Sequence, residues 1–328
     1  MVSWACRFRG AAIHMKTIAW LLVVLFTGTV CVAAAPRAAT RPAALTPGDH
    51  VRQIELDGRA RSFLVHVPPK YDSRKPTPVV LVFHGAAMNA HMMAWFCGMN
   101  AKSDEAGFIA VYPNGTGVGD TLLTFNSWGK PTPGPNGRPD DVAFTARILD
   151  DLTGVVKMDT KRVFATGLSN GGFMSYRLAA ELSDRIAAIA PVAGTLSVEA
   201  KPTRAVSVIH FHGTADTFVP YEGPNRKTPR FLPFKSVDET IRTWVKLNGC
   251  PEQPQIAELP DIARDGTTVQ RKTYGPGKDG SEVVLYTIRG AGHTWPGRKS
   301  RIGFLGLTTE NISANDLIWD FFCRHPMK

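Results

Sequence analysis

Thr166-Gly167-Leu168-Ser169-Asn170-Gly171-Gly172 (TGLSNGG) sets one serine among three glycines. The run RVFAT (162–166) before it reads as a short buried strand. The residues after it carry Met174, Leu178 and Leu182 at helical spacing, so a helix is expected over 173–182. Gly167-Leu168-Ser169-Asn170-Gly171 is G-x-S-x-G between a strand and a helix. Glycines on both sides let the chain turn sharply, so that the serine hydroxyl stands above the sheet edge. The helix N-terminus then faces the same spot and favours negative charge developing there.

The flanking pattern repeats this alternation. TPVVLVFHG gives a strand over 79–83 that is apolar on both faces, and FIAVYP gives another over 108–113, with a Met- and aromatic-rich helix between them. Asp141 is placed to cap a helix carrying Phe144, Ile148, Leu149 and Leu152. IAAIAPVAG, VSVIHFHG and SEVVLYTIRG supply later strands. SVDETIRTWVKL and SANDLIWDFF supply helices opened by capping boxes, Ser236 with Glu239 and Ser313 with Asp316. Buried strands alternating with helices specify an α/β fold, a mostly parallel central sheet with helices on both faces. Ahead of it, VRQIEL-DG-RARSFLVHV reads as a β-hairpin turning at Asp57-Gly58. No internal repeat is present. Residues 115–139 and 219–234 lack periodicity and are expected to be functional loops.

The chain has 328 residues, 44% hydrophobic and 20% charged, enough for a large core and incompatible with wholesale disorder. Arg7, Arg9 and Lys16 precede an apolar run over 18–32, and Val32-Ala33-Ala34 offers small residues for cleavage. Residues 1–34 therefore read as a signal peptide, with Met15 an alternative start, 35–49 as a linker, and 50–328 as one catalytic domain. The expected location is secreted, extracellular or periplasmic, with no stable membrane insertion after cleavage. Cleavage removes three basic residues and no acid, lowering the formal charge from +10 to +7. The remaining Lys and Arg are scattered, which argues against a nucleic-acid partner. It also leaves Cys97, Cys250 and Cys323, for which one disulfide is expected.

A serine hydroxyl needs a base. Asp216 follows the strand 206–211 in HFHGTADTFVPY, and His293 follows the strand 283–288 in RGAGHTWPG. Both fall in loops at the carboxyl ends of strands, on the edge where Ser169 is expected. His293 is read as the base and Asp216 as the group that orients its imidazole. Of the nine histidines, His14, His66 and His325 are remote, and His210 and His212 belong to the strand before Asp216. Asp140 and Asp141 precede the serine and read as a helix cap. The backbone N–H groups of Asn170 and of Ala86, in HGAAMN, are the expected oxyanion donors. Trp295, Phe218 and Tyr221, with Phe125 and Trp128 from the first long loop, are candidate walls of an acyl pocket; for Phe125 and Trp128 ordinary core packing is equally consistent.

HGAAMNA, SDEAGFIAVYPNG, DDVAFTARILDDL, GLSNGG, IAPVAG, HGTAD with VPY, NGC and GHTWPG occur in this order over residues 79–296. Together they resemble the family of polyhydroxybutyrate depolymerases and feruloyl or acetyl-xylan esterases. The resemblance implies an α/β-hydrolase fold and a secreted serine esterase acting on polymer-linked or oligomeric esters, with no metal and no cofactor. It carries the triad onto Ser169, Asp216 and His293. Related chains often carry a cysteine near YGPG that could pair with the one in NGC; residues 274–277 have none. No polymer-binding domain follows the last helix before Lys328, so soluble oligomers or side-chain esters are expected over crystalline polymer. Three rival readings compete with this one. A nucleotide site at NGTGVGD (114–120) lacks G-x-G-x-x-G spacing and runs into a Pro-rich loop. A serine peptidase shares the triad logic. A non-catalytic surface-binding protein on this fold is disfavoured by an intact Ser, Asp and His set.

Overall fold

Alternation within each central strand sends side chains to two different cores. In β3 (Thr77–Phe83), Val79, Leu81 and Phe83 face one helical layer and Val80 and Val82 face the other, all buried. A strand apolar at every position is stable only between two such layers. The computed structural model describes residues 43–226, 228–229, 232–299 and 302–328. The expected signal peptide and the start of the linker lie outside the described residues.

β1 (Gly48–Leu56) and β2 (Arg59–Val67) form the expected hairpin, with Asp57 and Gly58 both at positive φ as its tight turn requires. β1 begins inside the expected linker, and Leu45 ahead of it already packs on the core. The remaining strands are β4 (Ile109–Pro113), the short ribbon β5 (Thr116–Val118) and β6 (Leu122–Thr124), β7 (Met158–Leu168), β8 (Ala188–Val192), β9 (Ser207–Gly213), β10 (Gln255–Glu258), β11 (Thr268–Tyr274) and β12 (Val283–Arg289). The main sheet has the order β1-β2-β4-β3-β7-β8-β9-β12-β11-β10. Its six central strands, β4 to β12, run parallel. Antiparallel pairs close both edges.

One face is covered by α3 (Asp141–Val155), α4 (Asn170–Glu181) and α5 (Val237–Asn248). The other carries α1 (Ala90–Cys97), α2 (Met99–Ala106) and α6 (Ala314–Arg324). The expected single helix between β3 and β4 is broken in two at Gly98, which is left-handed. The α3 cap is Asp140, which accepts from the Ala143 N–H, while Asp141 pairs with Arg61. The Ser236–Glu239 capping box forms in full. Ser313 caps α6, but Asp316 reaches Lys102 instead of closing a box.

The expected disulfide is absent among the described residues; all three cysteines are free. Cys97 lies in the α1/α6 core and Cys250 in the α3/α4/α5 core, on opposite faces of the sheet. Cys323 is exposed on α6. Burial pushes the Cys97 thiol up to about 12.

Candidate active site

β7 ends at Leu168 and α4 begins at Asn170, so Ser169 makes the whole turn, with φ 56° and ψ −116°. A non-glycine residue held there stores roughly 1–3 kcal/mol of strain. The neighbouring glycines are required by close packing. A Cβ on Gly171 would lie 2.1 Å from the Phe83 carbonyl oxygen, and one on Gly167 would lie 2.7 Å from the same atom. The corner is thus pressed against the end of β3, which presents Ser169 at the carboxyl edge of the parallel strands. Ser169 is partly exposed, and its Oγ makes no hydrogen bond among the described residues.

Asp216 and His293 come together from the loops after β9 and β12. His293 Nδ1 is 2.7 Å from Asp216 Oδ2. The other carboxylate oxygen, Oδ1, accepts the N–H groups of Phe218 at 2.8 Å and Val219 at 2.9 Å. Burial pulls the Asp216 carboxyl upward, but the His293 bond, the neighbouring histidines and the Val219 amide hold it below the ordinary aspartate value. It is therefore a carboxylate and can only accept, so His293 Nδ1 donates and Nε2 carries the lone pair. The Ser169–His293 bond itself is not formed in this structure. Such bonds are often long in unliganded enzymes and close with substrate.

The two expected oxyanion donors are both unengaged. Asn170 is the first residue of α4, where a backbone N–H has no helical acceptor. In the loop after β3 the Ala87 N–H is tied to the Leu123 carbonyl, whereas exposed Ala86 makes no hydrogen bond among the described residues. The Asn170 side chain anchors the loop after β6: Oδ1 accepts from Phe125 N–H at 2.7 Å and Nδ2 donates to Ser127 Oγ at 2.9 Å.

The pocket candidates divide. Phe218 is half-exposed and lies over His293, ring centroids 5.1 Å apart, with exposed Phe304 6.1 Å beyond it. Trp128 is partly exposed and meets Phe173 edge-on. Tyr221 lies behind the acid loop, where its hydroxyl bonds Thr287 and its ring stands edge-on to His212. Trp295 is a correction: it is fully buried in the α1/α6 core, and its indole N–H donates to Asn315. The chain turns inward after His293, so sequence adjacency does not bring Trp295 to the site. Phe125 is likewise core, packed on Phe83 and His84.

Sequence reading missed His84. Its Nδ1 donates to the Gly85 carbonyl at 2.7 Å and its Nε2 accepts from Gly115 N–H at 3.0 Å, fixing the backbone just ahead of Ala86. Burial brings its pKa down to about 4. A histidine ending an otherwise apolar strand was the available signal.

A free serine at a strand–helix corner, a histidine–carboxylate pair and two unengaged amides on one sheet edge define a serine hydrolase of the α/β-hydrolase class. A model of the prolyl oligopeptidase family matches residues 89–217, which hold Ser169 and Asp216 but stop short of His293. NocK of Nocardia uniformis subsp. tsuyamanensis, a candidate esterase, is 33% identical over 287 residues, covering 82% of this chain and 81% of that one. Feruloyl esterase B of Piromyces equi is 33% identical over 162 residues, covering 47% of this chain and 29% of that longer protein. An acetyl xylan esterase from Aspergillus awamori shares the fold with a TM-score of 0.57 at 16% identity, covering 84% of this chain and 99% of its own. The chain belongs to the esterase family whose members bear the names feruloyl esterase and poly(3-hydroxyalkanoate) depolymerase, and it is a serine esterase.

Proposed function

We propose that this chain is an exported esterase that hydrolyses oligomeric or polymer-linked carboxylic esters, with Ser169 as nucleophile, His293 as base and Asp216 as the acid that orients it. The observation that carries the mechanism is the 2.7 Å bond from His293 Nδ1 to Asp216 Oδ2, which leaves Nε2 as the proton acceptor. Ser169 Oγ attacks the ester carbonyl carbon as its proton passes to His293 Nε2. The carbonyl oxygen becomes an oxyanion, held by the N–H groups of Asn170 and Ala86. His293 then protonates the departing alcohol, leaving an acyl-serine. A water, deprotonated by His293, attacks that acyl group, and the Ser169 oxygen leaves with the proton.

Export rests on the basic, apolar and small-residue order of the leader. For the substrate, the exposed pair Phe218 and Phe304 beside His293 offers an apolar rim to the ester. A depolymerase-like preference for 3-hydroxyacid oligomers is the first reading. A feruloyl or acetyl-xylan preference is the second, favoured by the names of the relatives above and by the suitability of an aromatic rim for stacking a cinnamoyl ring. The test is a panel on purified mature protein: 3-hydroxybutyrate oligomers, methyl ferulate, acetylated xylan, short p-nitrophenyl esters and a proline-containing peptide anilide. Ester cleavage is expected, with the oligoester the best natural substrate. Methyl ferulate as the best substrate establishes the second reading, and peptide cleavage faster than any ester overturns both.

A further inference from the structure

Three buried polar side chains behind the acid take no part in the mechanism above. Tyr176 stands on α4, the helix that begins at the nucleophile; His210 and His212 share one face of β9, the strand that leads to Asp216. They form a chain: Tyr176 Oη to His210 Nδ1 at 2.8 Å, His210 Nε2 to His212 Nδ1 at 3.1 Å, and His212 Nε2 to the Val219 carbonyl at 2.8 Å.

One end fixes every proton. A carbonyl only accepts, so His212 carries its proton on Nε2. In the neutral ring Nδ1 must then accept, so His210 donates from Nε2, and its own Nδ1 accepts the Tyr176 O–H. Protonating His212 at Nδ1 would set one N–H against another. The chain ends on the acid itself: Val219, held by its carbonyl, donates its N–H to Asp216 Oδ1, and His212 Nε2 lies 3.5 Å from Asp216 Oδ2.

We propose that Tyr176, His210 and His212 form a neutral hydrogen-bonded brace that positions the Asp216 turn against the nucleophile's helix and reserves the Asp216 charge for His293. The inference rests on Asp216 being the catalytic acid. A cationic His212 at that distance would compete with the imidazolium that His293 becomes. Burial keeps both His210 and His212 below the ordinary histidine value, opposed at His212 by the Asp216 charge, and keeps Tyr176 protonated. The titratable groups facing the two rings are Tyr176 from α4, Asp216 and Tyr221 from the loop after β9, and His293 from the loop after β12.

The test compares His212→Leu with His212→Gln, whose amide restores a donor near Nε2, on a p-nitrophenyl ester, with Ser169→Ala measured alongside. The leucine variant is expected to lose on the order of ten- to a hundredfold in kcat, as a small misplacement of a catalytic group does, with KM within about twofold. Its acid limb in kcat/KM should move to lower pH, because a displaced Asp216 stabilises the His293 cation less. Glutamine should recover most of the loss, whereas a packing role alone would make buried glutamine the worse of the two and leave the limb in place. Wild-type kcat and an unmoved limb in the leucine variant overturn the brace; turnover by Ser169→Ala would instead overturn the esterase assignment on which it rests. Ring 15N spectra of the unmutated enzyme supply an independent readout, expected to show both histidines neutral with the proton on Nε2 at neutral pH. A His212 proton on Nδ1 contradicts the brace.

Discussion

Asp216 divides its two oxygens between different tasks: Oδ2 accepts from His293 Nδ1 at 2.7 Å, while Oδ1 is tied to the amides of Phe218 and Val219. The carboxylate is thus clamped by its own loop before it meets the histidine. Asp216→Asn should keep the fold, since the amide is isosteric. Its Nδ2 can face the imidazole and force the proton onto Nε2, where no proton can be accepted. A fall of about 10⁴ in kcat for a p-nitrophenyl ester is expected. Activity within tenfold of wild type would show that His293 is not oriented by this residue.

Three buried histidines set the acid stability. His84 is brought down to about 4, and His210 and His212 also lie below the ordinary value. Each takes up its proton at lower pH in the folded protein than in the unfolded chain, whose histidines protonate below about pH 6.5. The unfolded state then binds more protons, so unfolding free energy falls as pH drops. The loss should run from about pH 6.5 down through pH 4, with His84 alone contributing on the order of 3 kcal/mol. The lowered Asp216 carboxyl adds its own loss only below about pH 4. Urea midpoints measured at intervals from pH 8 to 4 check this; a flat profile between 6.5 and 4.5 contradicts it.

Trp295 and Phe218 should separate by what each mutation damages. Trp295→Ala opens the α1/α6 core and should cost about 3–5 kcal/mol of stability, with acetyl and bulky esters slowed alike. Phe218→Ala, at a half-exposed ring, should change stability by less than about 0.5 kcal/mol. It should lower kcat/KM for bulky or aromatic acyl esters more than for acetate. Denaturation curves and paired ester kinetics decide; a selective Trp295 effect would return that residue to the pocket.

Gly171→Ala tests the corner itself. Its Cβ would fall 2.1 Å from a backbone oxygen of β3, which no rotamer change relieves. The substitution should cost at least about 2 kcal/mol and most of the activity. Wild-type stability would mean that the corner does not pack against Phe83 as described.

Much of this architecture was legible because buried parallel strands are continuous apolar runs: β3, β4, β8, β9 and β12 all announced themselves. β11 did not, because Thr268–Tyr274 is an edge-side strand mixing Arg, Lys and Thr with Val, and it is specified by pairing with β12. The β5–β6 ribbon was hidden in a Gly-rich loop for a similar reason. Ser169, Asp216 and His293 could be found by order along the chain and by their place after strands. Trp295 could not be placed, since side-chain direction in an irregular loop depends on packing partners such as Asn315 that lie far along the sequence. The two-residue spacing of His210 and His212 showed that they share a face of β9, but their partner Tyr176 comes from another element and left no local mark.

The proposed mechanism stands on Ser169 as the nucleophile of an ester hydrolase. A direct measurement is titration of the purified enzyme with a fluorophosphonate, following loss of p-nitrophenyl ester hydrolysis while the adduct is mapped by mass spectrometry. One adduct per active molecule is expected, on Ser169, with activity falling in step, and a Ser169→Ala variant should take up no label and retain on the order of a millionth of wild-type kcat. Full inactivation with the label elsewhere, or turnover within tenfold of wild type in the folded Ser169→Ala protein, would contradict it.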